Sequence, residues 1–165
     1  MGNIDTYDIL KNVHTYMEVK PKQIIIGDMA YLMETLQAFS RSRTNRVNKY
    51  PLVFFLENFE QEDDSAYINL TLQVAIITDS RNNISNDNRN GRIMNVLEPI
   101  YLSLLRSFNK NPAIFGQYAY FHTKVARLDI GRNGLFVDGS TSHDYIDAIE
   151  LRNLQLKIHK KILTL

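Results

Sequence analysis

The stretch from Tyr67 to Phe108 constrains the fold of this chain more than any other part of the sequence. It begins with alternating apolar and polar residues over 67–78, which predict a long strand with one buried face and one wetter face. A polar loop, 79–90, follows. Apolar residues then recur at a period near 3.6 over 91–108, which predicts an amphipathic helix packed on that strand. The apolar positions are Ile68, Leu70, Leu72, Val74 and Ile76 in the strand, and Ile93, Val96, Leu97, Ile100, Leu104 and Phe108 in the helix.

Length and composition predict an ordinary globular protein. The 165 residues are enough for one domain with a sizeable core, so we expect residues 1–165 to form a single domain. The net charge of +1 gives no global bias toward nucleic acid, membrane or acidic substrates. The absence of cysteine excludes disulfides and thiolate metal sites. No apolar run approaches the ~18 residues of a membrane span, so we expect synthesis in a cytoplasm and no membrane partner.

Upstream of this stretch, the pattern predicts two helices and two strands. A helix over 3–18 ends before Pro21, and 23–27 forms a short buried strand. Asp28 is placed to cap a second helix. The continuous apolar run 52–56 is typical of a strand buried on both faces.

The segment 57–64 is acidic, and we interpret it as a solvated connection between strands 52–56 and 67–78. It is too short for a crossover helix, so those strands should pair antiparallel.

Downstream, the pattern is less regular. Pro99 inside the predicted helix implies either a kink or a late start near Glu98. Residues 119–130 read as a strand of mixed polarity. The segment 145–158 fits a helix, or a strand with a bulge near Arg152–Asn153; we favour the strand because residues 154–158 alternate tightly. The fold class is therefore α/β (α+β), with a mostly antiparallel sheet packed by one long helix plus N-terminal helices.

This order of elements resembles the tail terminator and tail-completion proteins of long-tailed bacteriophages. The likeness is carried by Tyr50–Val53, 68–78, 92–108 and 147–158. It implies a structural virion protein, made in the host cytoplasm, that forms a ring, commonly a hexamer, at the head–tail junction. Such a ring caps the tail tube protein, docks the head connector or adaptor protein and lets double-stranded DNA pass, without catalysis. The charged runs 41–49 and 57–64 are longer than the family's minimal pattern, which leaves tail terminator, head-completion ring protein and a related neck component all open.

The two charged runs of opposite sign lie on either side of the strand 52–56. Opposite patches on one domain suit head-to-tail contact between neighbours in a ring, whereas the plainer interpretation is two solvated connections. The candidate inter-subunit residues are Arg41, Arg43, Arg46 and Lys49 in the basic run, and Glu57, Glu60, Glu62, Asp63 and Asp64 in the acidic run.

Arginines also mark the loop that precedes the long helix. Arg81, Arg89 and Arg92 are candidates for contact with a partner or with the phosphates of passing DNA, which would not read sequence. The alternative is a solvated loop, rich in asparagine because asparagine tolerates turns.

A small hydrolase or nuclease using Asp138, His143 and Asp144 is the second hypothesis, and a generic cytoplasmic binding module is the third. The sequence has no Gly-x-Ser-x-Gly elbow, and its histidines do not have metal-ligand spacing. We therefore expect no catalytic residue, no metal and no cofactor.

Overall fold

The computed structural model describes residues 3–28, 30–32, 34–35, 38, 49–56, 60–63, 66–79, 91, 93–114, 121–127 and 146–159. Residues 30–32, 34–35 and 38 are helical, and a π-helical turn, Ile93–Leu97, precedes the second named helix. The named helices are α1 (Asn3–Tyr16) and α2 (Glu98–Lys110). The strands are β1 (Gln23–Gly27), β2 (Leu52–Leu56), β3 (Glu60–Asp63), β4 (Tyr67–Asp79), β5 (Thr123–Arg127) and β6 (Ile146–His159).

The strands form one six-stranded sheet in the order β1-β2-β4-β6-β5, and β3 also pairs with β4. Only β1 and β2 are parallel among the described pairs; β2, β3 and β6 each run antiparallel to β4, and β5 runs antiparallel to β6. A mostly antiparallel sheet with helices packed on it confirms the predicted α+β class and the antiparallel pairing of β2 with β4.

The alternation of β4 is confirmed by its burial. Ile68, Leu70, Leu72, Val74 and Ile76 are buried on what we call the inner face, where α1 and α2 complete the main core. Residues of the opposite parity from Tyr67 to Ala75 are only partly buried, on what we call the outer face. Burial of the apolar side chains on the inner face is the main driving force that sets the register of the strand.

Strand β2 is buried on both of its faces, as its continuous apolar run predicts. Val53 and Phe55 join the main core on the inner face. Leu52 and Phe54 join a second, smaller cluster on the outer face, which Leu32 of the helical segment after β1 helps to cover. The sheet is therefore covered on both sides around β1, β2 and the C-terminal half of β4.

The last described strand contains the predicted bulge. The pairing of β4 with β6 shifts register between Leu72 and Val74, so that Arg152 and Asn153 lie opposite Gln73 alone. Asn153 has φ 55°, in the left-handed region that asparagine tolerates better than most residues. The Gln73 amide donates to Asn153 Oδ1 at 2.9 Å, and the Asn153 N–H donates to Gln73 Oε1 at 3.2 Å. The strand interpretation of 145–158 is thus confirmed.

The long helix begins late, as Pro99 predicts. Regular α-helical geometry starts at Glu98, which places Pro99 in the first turn, where a missing N–H breaks no hydrogen bond. At the other end the Asn111 N–H donates to the Ser107 carbonyl at 3.0 Å. The predicted cap of the earlier helical segment is also present, because Asp28 Oδ1 accepts from the Tyr31 N–H at 2.7 Å.

Three elements differ from the sequence predictions in extent or type. The first helix ends at Tyr16 rather than at residue 18. The segment 57–64, predicted as a solvated connection, contains β3, which pairs with β4 from Glu60↔Thr71 to Asp63↔Ile68. Its composition is wrong for an ordinary strand, since acidic residues are depleted in strands, but the backbone bonds to β4 hold it extended. Of the predicted strand 119–130, Thr123–Arg127 is observed.

None of the helices in the described part of the chain is long and apolar enough to cross a membrane.

Candidate interaction surface

Strand β3 places a row of carboxylates on the rim of the sheet. All of Glu60, Gln61, Glu62 and Asp63 are exposed. Because directly paired residues share a face, Glu60 and Glu62 lie on the outer face with Thr71 and Asn69, and Gln61 and Asp63 lie on the inner face. No other strand in the described ranges pairs with the far side of β3. Charged edge strands of this kind resist non-specific edge-to-edge pairing.

The outer face next to β3 is polar and partly open. The pairs Tyr67↔His159, Asn69↔Lys157 and Thr71↔Gln155 run along it in register. The Lys157 Nζ lies 4.8 Å from the centre of the Tyr67 ring, and the Tyr67 and His159 rings are 5.2 Å apart. Among the described residues, the apolar cover found over β2 does not extend here, and this end of the sheet carries amide, ring and cationic groups on its outer face.

Strand β5 forms the rim on the other side of the sheet. Arg127 Nη1 contacts Glu150 Oε1 at 2.9 Å on the outer face. Lys124 lies on the inner face and contacts Glu98 Oε2 at 2.7 Å. Both ion pairs are partly exposed, so each adds little stability by itself. Thr123, Lys124 and Ala126 are exposed.

Lys124 also belongs to a small cluster between β5 and α2. Its Nζ lies 4.3 Å from the centre of the Tyr101 ring, a cation–π contact. The Tyr101 hydroxyl shares a 2.7 Å hydrogen bond with His122 Nε2. Burial raises the pKa of Tyr101 above its ordinary value; the Lys124 cation opposes this shift, and the Glu98 carboxylate adds to it. The cluster ties the start of α2 to the rim strand.

A shallow groove of about 270 Å³ lies between the end of α1 and α2. Val19 and Leu102 border it with 44% and 41% of their surfaces exposed. The Val19 N–H donates to Ser103 Oγ at 2.9 Å, and Lys110 contacts Glu18 Oε1 at 2.6 Å. The Lys110 hydrogen bond, followed by its charge, lowers the pKa of Glu18. These contacts hold the chain after α1 against α2.

The structure separates the predicted contact residues into three groups. Glu60, Glu62 and Asp63 are exposed together on β3. Lys49, predicted as a surface contact, is instead only 4% exposed, with its Nζ 5.4 Å from the centre of the Tyr50 ring. Its long apolar stem lets it pack beside β2, which sequence reasoning did not foresee. The residues outside the described ranges are Arg41, Arg43, Arg46, Glu57, Asp64, Arg81, Arg89 and Arg92, together with the hydrolase candidates Asp138, His143 and Asp144.

Sequence reasoning missed the cluster of Tyr101, His122 and Lys124 on α2 and β5. The only local signal is that His122 and Lys124 are two residues apart, so that they would share a face in an extended chain. A charged surface strand shows the same spacing. The partner Tyr101 lies on another element, and no sequence spacing reveals that contact. Within the described part of the chain, no three His, Asp or Glu side chains are grouped closely enough to hold a metal ion.

The features that distinguish this molecule are thus an acidic rim strand, a polar outer face beside it and a rim strand with paired cations on the far side. All three lie on strands of the sheet and present charge and amide groups outward. Comparison of the sequence with family models and with curated proteins gives no match.

Proposed function

We propose that this chain is a structural subunit of a bacteriophage head–tail junction, a tail-terminator-like protein that assembles into a ring. The observation that carries the proposal is β3, a strand whose four side chains are all exposed at a rim of the sheet where no other described strand pairs. A rim of this kind offers both backbone hydrogen-bonding groups and charge to a neighbouring subunit.

The order of elements supports the same proposal. The chain runs from α1 through the antiparallel pair of β2 and β4 to α2, and β6 then inserts beside β4. This is the order on which the resemblance to tail terminators rests. α1 and α2 pack on the inner face, and the helical segment with Leu32 covers the outer face around β2. The polar outer face beside β3 and the rims formed by β3 and β5 are the surfaces we assign to contacts.

The role we propose is differential contact without catalysis. One face of a ring of these subunits, which we expect to be a hexamer, ends the tail tube, and the other face docks the head connector or adaptor protein. Each contact is weak for one subunit and becomes tight when the whole ring binds, because the ring presents many copies at once. In this proposal the protein is made in the host cytoplasm and becomes part of the virion.

The lumen of such a ring passes double-stranded DNA. Arg81, Arg89 and Arg92 are the candidates for non-specific contact with its phosphates. We expect Arg81→Ser with Arg89→Ser to preserve the circular dichroism spectrum and to reduce the yield of infectious particles. Unchanged particle yield and infectivity would contradict a role for this loop.

The assembly itself is tested by native mass spectrometry at rising protein concentration, together with mass-spectrometric analysis of purified particles. We expect a closed ring in solution and a fixed copy number per particle. A protein that stays monomeric at every concentration and is absent from particles would overturn the proposal.

A further inference from the structure

We propose that β3 of one copy pairs antiparallel with β5 of the next copy, so that the sheet continues from subunit to subunit. This inference rests on the proposed function in taking the assembly to be a closed ring of identical subunits. It goes beyond that function by naming the two surfaces that meet.

The positions of the two strands make this pairing available. β3 flanks the N-terminal half of β4 on one side of the sheet, and β5 flanks residues 148–152 of β6 on the opposite side, level with the C-terminal half of β4. Throughout the described ranges, no further strand pairs with the outer side of either one. A head-to-tail interface uses two different surfaces of one subunit, and these rims are two such surfaces.

The strand directions also match. β4 is antiparallel to β6, and β6 is antiparallel to β5, so β5 runs in the same direction as β4. β3 runs in the opposite direction to β4. Copies in a ring all have the same orientation along its axis, so β5 of one copy meets β3 of the next as an antiparallel pair. The alternation of strand direction thus continues across the interface without interruption.

The two rims are staggered along the sheet. β3 lies beside residues 68–71 of β4, which are opposite residues 155–158 of β6. β5 lies beside residues 148–152 of β6, nearer the other end of that strand. Joining staggered rims offsets each subunit along the strand direction. A sheet that closes on itself needs such an offset, because its strands must tilt relative to the axis of the closed structure.

The charges are complementary on both faces. On the outer face β3 carries Glu60 and Glu62, and β5 carries Arg127. On the inner face β3 carries Asp63, and β5 carries Lys124. Since Lys124 and Arg127 already pair with Glu98 and Glu150, charge here contributes mainly to the choice of partner strand. Pairing of β3 with another β3 would place like charges opposite each other, which is unfavourable.

The test uses two charge variants that leave the internal ion pairs intact. Glu60→Lys and Glu62→Lys with Asp63→Lys makes β3 basic on both faces. Thr123→Glu with Ala126→Glu makes β5 acidic on both faces. We expect each variant to remain folded by circular dichroism and to lose ring assembly by native mass spectrometry, because each now opposes like charges at the interface.

A mixture of the two variants provides the decisive measurement. The basic β3 of one variant complements the acidic β5 of the other, and the remaining rims are as in the natural protein. We expect an equimolar mixture to recover rings in which the variants alternate. The control is Asp8→Lys with Glu34→Lys, which raises the net charge at exposed helical positions and should assemble normally.

A cysteine pair tests the same contact without changing charge. The natural chain has no cysteine. Gln61→Cys and Ala126→Cys both lie on the inner face of their rims. Mild oxidation of the double variant should give a ladder of covalent multimers, and either single variant should give none. Dimers of the Gln61→Cys variant alone would instead indicate pairing of β3 with β3, and would overturn the proposal.

The outcomes separate the two proposals. If the natural protein forms rings but both charge variants assemble equally well, the pairing of β3 with β5 is wrong and the ring assembly stands. The same conclusion follows if the mixture stays monomeric. If the natural protein never assembles and is absent from particles, the proposed function fails together with this interface.

Discussion

Strands β2 and β3 pair one after the other with the same side of β4, yet they share almost no chemistry. β2, with the sequence LVFFL, pairs from Leu52↔Ile77 to Phe55↔Val74 and is buried on both faces. β3, with the sequence EQED, pairs from Glu60↔Thr71 to Asp63↔Ile68 and is exposed throughout. The two have equivalent places in the hydrogen-bond ladder. What differs is the cover: β1 and packing on both faces surround β2, whereas nothing described covers β3.

The comparison shows that one strand, β4, serves both as core and as support for a surface. Its C-terminal half is fixed by apolar burial, which supplies most of the folding free energy. Its N-terminal half uses the same backbone ladder to hold exposed carboxylates in fixed positions. In the proposed assembly, backbone pairing with β4 orders β3 before its partner binds, which would lower the entropic cost of association.

The largest expected effect separates β2 from β3 directly. Phe55 is fully buried, so Phe55→Ala should lower the free energy of unfolding by about 3–5 kcal/mol through lost burial and a cavity. The matched change on β3, Gln61→Ala, should alter it by less than about 0.5 kcal/mol. Urea titration of both variants measures the difference. Equal losses would show that β3 contributes to stability as β2 does.

A smaller effect is expected where the ladder of β4 changes register. Asn153→Ala removes the Gln73 side-chain bond and places a less tolerant residue at φ 55°, which should cost about 1–2 kcal/mol. Asn153→Gly should cost less, because glycine adopts the left-handed region freely. Thermal unfolding of both variants is the measurement. If alanine and glycine destabilise equally, backbone conformation is not what asparagine supplies here.

The smallest effect is expected at Tyr101 of α2, which contacts the rim strand β5. Its folded pKa lies above the ordinary value of 10.0, so its contribution to stability is full below about pH 10 and is lost as pH rises through the folded pKa. Tyr101→Phe should cost about 0.5–1.5 kcal/mol at neutral pH by losing the His122 bond.

The stability of the same variant should also depend on pH differently from that of the natural protein. Above about pH 10, Tyr101→Phe should lose stability less steeply than the natural protein. Urea titrations at about pH 8 and about pH 11 give the free energy of unfolding at each pH, and so its slope with pH, for the natural protein and for Tyr101→Phe. The exposed Tyr7→Phe is the control. Identical slopes for the natural protein and Tyr101→Phe would contradict a raised Tyr101 pKa.

Much of the sheet was predictable from the sequence because its signals are local. The parity of β4, the two-faced burial of β2, the late start of α2 at Pro99 and the bulge at Asn153 each follow from neighbouring residues. β3 was not predictable, since its extended conformation is imposed by the ladder of β4 and opposes the propensity of its own acidic residues.

The candidate surface was predictable only in part. The acidic character of Glu60, Glu62 and Asp63 is evident in the sequence, but their alignment on a rim depends on the pairing with β4. The burial of Lys49 depends on packing around β2 and the contact of Tyr101 with His122 on the approach of α2 to β5. Contacts between elements that are distant in sequence produce no periodic pattern of residues in the sequence.

The pairing of β4 with β6 has a consequence for how the chain folds. Gln73 and Asn153, which face each other at the bulge, are 80 positions apart in the sequence. Non-local strand pairing of this kind slows folding, because a long loop must close before the contacts form. During synthesis, the segments of β1 to β4 are made before β6, so the edge of β4 that pairs with β6 has to wait for its partner strand. Unpaired strand edges are prone to aggregation, so we expect a chain truncated before β6 to aggregate more readily than the full chain.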